Sequence, residues 1–403
     1  MTRAAARGRF RQRLLVFFLL AMLIPYARQV VSSPTLGQDF RAFFAAATVV
    51  AHQGDPYQWP TLGATEYRLY DASGGIKPGD PAYYEFLAYP EGPWLAFALV
   101  PLTSLPWSVA YALFAVFLGL ILVTAAFATF TLLGWPRRRA ALAAGCTLLS
   151  AVGFINLFMG QVSVLVFGAF MAAWLLAARG RPWLAGAVLA LVWMKPNIGL
   201  PLPLVLALLE PAMARRMIGG FMVASAALFG VAFTVLGTGF FEWPLQVPRM
   251  WQAVQGLQPD MASVESFFYP GLSGWLKTAA LLVTLLAAIG YGSWAIRRAR
   301  DAHSRGLTVL ILWVFALPFV QSYDLILLLP AVALLLGPRL EGWDDLTVEL
   351  TIWGFAAIPL LYFLGARVGY FNGFTVIPFS VLVLAWHRRI LARPVVPAQA
   401  RAA

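Results

Sequence analysis

Charge is scarce in this chain. Only 11% of its 403 residues are Asp, Glu, Lys or Arg, where soluble domains carry about a quarter. Together with 61% hydrophobic residues and a mean hydropathy of +0.77, this excludes an ordinary soluble enzyme. Cysteine is nearly missing. The single Cys146 excludes an internal disulfide, and in an apolar run it reads as inert core. The histidines are three isolated residues, His52, His303 and His387. They offer no metal-ligand spacing. No D-x-D acidic motif occurs, so neither a metal nor a cofactor is expected. The apolar runs are continuous rather than alternating, which argues against a β-barrel. No internal repeat of about 20–50 residues is visible, so neither a solenoid nor an obvious inverted-repeat transporter is indicated.

Apolar runs recur from Leu14 to Ile390. They indicate an all-α polytopic membrane protein in a single integral domain spanning 1–403. The net charge of +12 comes mostly from short Arg clusters. These read as cytoplasmic loops rather than a nucleic-acid surface. With all of them inside, both termini are cytoplasmic. The basic stretch 1–13 then precedes a retained first span, 14–31. A long first external loop covers 32–93. A second external loop, 240–271, mixes Glu242, Arg249, Asp260 and Glu265 with Trp243, Trp251 and Phe267. That mixture suits an amphipathic segment resting on the bilayer. The last spans are 347–366 and 371–390, followed by a cytoplasmic tail, 394–403. Between 92 and 133 the parity of the topology requires an odd number of crossings.

Three later apolar stretches share one form. Residues 140–178 are interrupted around Asn156 to Gln161, residues 183–209 at Lys195-Pro196-Asn197, and residues 307–337 at Gln321-Ser322-Tyr323-Asp324. Flanking basic clusters make each a hairpin with its polar interruption outside. The alternative for 183–209 is one kinked span. Arms this short are tolerated where they line a protein cavity rather than lipid.

This topology carries Asp39, Gln161, Lys195 and Asp324 to the external face. Ionisable groups at membrane depth are functional candidates by default. A lysine supplies a point charge for the phosphate of a lipid-linked substrate. A carboxylate can take a proton from an attacking sugar hydroxyl. Each residue also has a plainer reading. Asp39 can cap the helix that follows. Lys195 can snorkel to the interface. Asp324 can cap the next arm or pair with Lys195. Gln161 can bond a neighbouring helix. Asp55, in Gly54-Asp55-Pro56-Tyr57, reads as part of a helix stop and turn. Glu91 stands at a loop-to-membrane corner, from which it can face the same cavity.

These residues carry a resemblance. Asp39-Phe40 after the first span, followed by Gly54-Asp55-Pro56-Tyr57, resembles the opening of the polyprenol-phosphate-sugar-dependent glycosyltransferases of family 87. Three later matches stand in the same order. They are Tyr89-Pro90 leading to Pro101-Leu102-Thr103-Ser104-Leu105-Pro106, then Gly160-Gln161-Val162-Ser163 followed by Lys195-Pro196, and Tyr323-Asp324 before Leu327-Leu328-Leu329-Pro330. The resemblance implies a GT-C fold, here with roughly 10–13 membrane segments. It implies inverting transfer of a sugar, mannose above all, from a polyprenyl-phosphate donor to a glycan or glycolipid acceptor. Asp39 would be the general base and Lys195 the donor-phosphate contact. Gln161, Asp324, Tyr323 and Glu91 would shape the substrate site. Relatives commonly show Tyr-Pro-Pro where this chain has Tyr89-Pro90-Glu91-Gly92-Pro93. The rival readings are a flippase for a lipid-linked sugar and a non-catalytic membrane scaffold.

Overall fold

The computed structural model describes residues 17, 21, 23–32, 36–72, 87–246, 249, 274–299, 301–317, 320–337 and 382–391. The basic stretch 1–13, the second external loop from 251 onward, most of the last two spans and the tail 394–403 lie outside the described residues. Within them the chain is helical and has no strand.

Helix α1 is Leu23–Ser32, α2 Gln38–Ala51 and α3 Trp59–Ala72. After a loop, α4 is Pro93–Leu99, extended by a 3₁₀ segment, Val100–Ser104. Helix α5, Trp107–Leu132, is followed by α6, Arg137–Leu149, α7, Ala151–Met159, and α8, Ser163–Ala178. Helix α9, Pro182–Leu189, runs into a 3₁₀ segment, Ala190–Met194. Beyond Lys195 come α10, Pro196–Gly199, α11, Leu202–Leu209, and α12, Ala214–Leu236. Helices α13, Gly274–Arg298, and α14, Ala302–Ala316, precede a 3₁₀ segment, Ser322–Leu328, and α15, Leu329–Leu335.

Three described helices are long and apolar enough to cross a membrane: Trp107–Leu132, Pro211–Gln246 and Gly274–Arg298. Helices α6 and α7 make a fourth candidate if their 54° bend is taken within one span. The bend, which hydropathy does not mark, falls at Ser150. There the hydroxyl accepts the Gly153 N–H at 3.1 Å and starts a new helix. Among the described residues, six shorter apolar helices of 10–17 residues accompany the long ones. They include both arms on either side of Lys195. Pro at the first turns of α4, α9, α10, α11 and α15 explains why these segments start anew rather than continue.

The short helices are packed among the others. Helix α8 lies against α5 and α9, α11 against α14, and α7 against the 3₁₀ segment Ser322–Leu328. Helices α9 and α12 pack closely together. A Cβ at Gly186 would stand 1.9 Å from the Met217 carbonyl, so only hydrogen fits there.

Candidate functional site

The site assembles where the chain breaks. Helix α2 is preceded by Gly37, whose backbone is left-handed and whose N–H bonds the Phe158 carbonyl at 2.8 Å. That bond ties the start of α2 to the end of α7. Gly160, also left-handed with φ 72°, then ends α7. A Cβ on Gly160 would lie 2.6 Å from the Phe40 Cβ. Glycine is thus required twice over, for the positive φ and for the approach of α2. The consequence is that Asp39 and Gln161 meet. The Gln161 side-chain amide donates to Asp39 Oδ2.

Asp39 lies in the first turn of α2 but makes no capping bond. Its side chain is used on a residue far along the sequence, so the helix-cap reading gives way. Asp39 keeps a partly exposed edge. Among the described residues nothing bonds its Oδ1. Burial pushes its pKa up to about 6, against the lowering effects of the Gln161 bond and the Lys195 charge.

Lys195 occupies the break between the 3₁₀ segment Ala190–Met194 and α10. Its backbone is extended there (φ −139°, ψ 82°) because Pro196 follows. Lys195 is buried, 7% exposed, and its ammonium does not snorkel. It donates to Asp324 Oδ1 at 2.7 Å, to Ser163 Oγ at 3.0 Å and to Gln161 Oε1 at 3.3 Å. Ser163 in turn donates to the same Asp324 oxygen at 2.6 Å. The Tyr323 ring centroid lies 4.5 Å from the ammonium, a cation–π contact. Asp324 has a second task. Its Oδ2 accepts the Gln321 N–H at 3.0 Å and caps its own 3₁₀ segment. Both plainer readings of Asp324, cap and ion pair, therefore hold at once.

Glu91 reaches this group by a backbone route. The Gly92 N–H bonds the Met194 carbonyl at 3.1 Å, which sets residue 91 beside Lys195. Its side chain is buried, 5% exposed. Burial pushes its pKa up to about 8; Lys195 opposes this, while Asp39 and Asp324 add to it.

Asp55 and Glu66 stay apart from this cluster. Asp55 accepts the Tyr57 N–H at 2.9 Å in a local turn. Just before it, where α2 ends, the left-handed residue is Gln53 (φ 61°) rather than the expected Gly54. Glu66 is buried beside Arg41, 3.9 Å away, and accepts the Leu87 N–H at 3.0 Å. Burial pushes its pKa up to about 7. Two residues escape sequence reasoning. Ser163 bridges the ion pair, and Asn156 donates to the Tyr323 carbonyl at 2.9 Å. The polar interruption at Asn156 marked the place but not the partner. Among the described residues no group of three or more His, Cys, Asp or Glu side chains is arranged to hold a metal.

A family model matches residues 86–330, described as Glycosyltransferase family 87. The chain belongs to that family. This glycosyltransferase finds no match among curated proteins or solved structures. Within the glycosyltransferase, Gln161, Ser163, Lys195, Tyr323, Asp324 and Glu91 fall inside the matched segment. Asp39 precedes it and joins the site through Gln161 and the Gly37–Phe158 bond.

Proposed function

We propose that this membrane glycosyltransferase moves a sugar, mannose above all, from a polyprenyl phosphate to a glycan or glycolipid acceptor on the external face. One observation carries the reading. A partly open carboxylate, Asp39, is joined through Gln161 to a buried ammonium, Lys195. The acceptor hydroxyl attacks the anomeric carbon, and its proton passes to Asp39. The bond from that carbon to the phosphate oxygen breaks on the opposite face, giving inversion. The electron pair leaves with the polyprenyl phosphate, whose developing charge Lys195 offsets. All three Lys195 donors are engaged at rest. The longest contact, to Gln161, is the one a phosphate oxygen replaces at least cost.

A second feature supports a lipid-linked donor. An apolar cavity of about 790 Å³ runs between α4, α5, α8 and α9, and Met194, the neighbour of Lys195, belongs to its wall. Isoprenoid units fit such a lining, with the phosphate emerging beside the ammonium. The Arg clusters support a topology with both termini in the cytoplasm and the site outside.

The test is transfer by purified, reconstituted protein from radiolabelled polyprenyl-phosphate sugars into a native membrane extract. Wild type labels a product. Asp39→Asn lowers kcat/KM about 10³-fold. Because the Asp39 pKa is raised and the base works ionised, wild-type kcat/KM climbs as pH rises through about 6. The variant lacks that limb. Near-normal transfer by the variant removes Asp39 from the role. Translocation of the lipid-linked sugar with no new glycosidic bond supports the flippase reading.

A further inference from the structure

The loop residues around Glu91 are held far more firmly than a plain connection requires. The Tyr57 hydroxyl donates to the Glu91 carbonyl at 2.9 Å. The Tyr89 hydroxyl donates to the Gly92 carbonyl at 2.8 Å and accepts the Ala96 N–H at 3.0 Å. Trp243 Nε1 donates to the Pro90 carbonyl at 3.1 Å, and the Trp243 ring stands edge-on to Trp94, centroids 5.2 Å apart. With the bond from Gly92 to Met194, four separate hydrogen bonds fix this backbone, and that last one ties it to the Lys195 break.

The side chain it presents is in the opposite condition. Glu91 Oε2 is buried and has no hydrogen-bond partner among the described residues. A buried polar atom without a partner costs roughly 1–3 kcal/mol. A rigid backbone that holds such an atom in place describes a site awaiting a ligand group. The charges that face it decide which group. Asp39 comes from α2, Lys195 from the α9–α10 break and Asp324 from the 3₁₀ segment before α15, with the Tyr57 and Tyr89 phenols nearby. Ionised, Glu91 would add a third carboxylate around one ammonium and repel an anionic substrate. Neutral, it offers an O–H donor at the same point without charge.

We infer that Glu91 acts as a neutral carboxylic acid and donates a hydrogen bond to a phosphate oxygen of the lipid-linked donor, beside Lys195. It is a binding residue and takes no proton from the acceptor. This deepens the proposed function and rests on it. The raised pKa of about 8 agrees with the neutral form at neutral pH. Glu91 is neutral below that value and ionises above it, so affinity for phosphate falls as pH rises through it.

The experiment measures binding of polyprenyl phosphate to the purified full-length protein at pH 7 and pH 9, alongside donor and acceptor KM. Wild type binds about tenfold more weakly at pH 9. Glu91→Gln, which keeps a donor without a titrating proton, binds about threefold more weakly than wild type at pH 7 and loses nothing further at pH 9. Glu91→Ala binds about thirtyfold more weakly at pH 7, with a matching rise in donor KM. Its acceptor KM stays within about twofold. Melting curves of the ligand-free variants separate loss of binding from loss of fold. If Glu91→Ala binds as wild type does, or Glu91→Gln loses kcat as Asp39→Asn does with donor affinity intact, the inference fails while the proposed function stands. If wild type binds no polyprenyl phosphate at either pH, both fail.

Discussion

Helix α5 and the segment broken at Lys195 are both apolar, but they meet the same backbone problem in different ways. Helix α5 runs unbroken for 26 residues, and its amides and carbonyls satisfy one another. In its most apolar stretch only 39% of residues are buried within the protein, and in Pro211–Gln246 only 17%. Lipid covers such helices at no cost. The arms around Lys195 are short and Pro-started, with Trp183, Leu184, Leu200 and Leu204 exposed on one face and the other face packed, and their loosened backbone takes partners from elsewhere. Met194 offers its carbonyl to Gly92, and Asn197 offers its carbonyl to Trp313 Nε1 at 2.9 Å. Long helices build the wall; broken helices place chemistry inside it.

Removing one partner of the buried ion pair should give the largest effect on that contrast. Lys195→Met leaves Asp324 as a buried carboxylate without its cation, and should cost about 3–5 kcal/mol of stability. The double variant Lys195→Met with Asp324→Leu should melt closer to wild type yet transfer no sugar. Thermal unfolding and transfer assays on the same samples check both halves. Stability unchanged in the single variant would mean that the pair is screened by water. An intermediate effect is expected at Gly160→Ala, about 1–3 kcal/mol, from the positive φ and the collision with Phe40. It should also lower kcat, because α2 carries Asp39. The smallest effect belongs to the lipid-covered wall. Val231 on α12 is 54% exposed, so Val231→Leu should change the melting behaviour by less than about 0.5 kcal/mol. A large effect there would reveal an unseen neighbour.

Much of this contrast is legible in the sequence. Hydropathy finds the long helices because lipid reads only side-chain polarity. Pro and polar interruptions find the breaks at Gln161, Lys195 and Asp324 because each of them stops a helix locally. The family motifs point to the same three places. What the sequence hides is either non-local or chemically quiet. Ser163 looks like any small residue in a membrane helix until Lys195 and Asp324 stand on either side of it. The bend at Ser150 rests on one hydroxyl replacing one backbone bond. Arg41 and Glu66 lie 25 positions apart on different helices, and their proximity follows from packing alone. The left-handed residue at Gln53 is a similar case. A neighbouring glycine is the better prior, but Gly54 must fit beside Val49, and a Cβ there would sit 2.7 Å from its side chain.

The Lys195–Asp324 bond spans 129 positions. A ribosome adding about 5–20 residues per second therefore delivers the lysine roughly 6–26 seconds before its carboxylate exists. During that interval the nascent chain holds an ammonium in an apolar setting with only earlier-made groups, Gln161 and Ser163 among them, to shelter it. Biogenesis thus has a built-in waiting period, and a chain cut short within it would expose the mismatch.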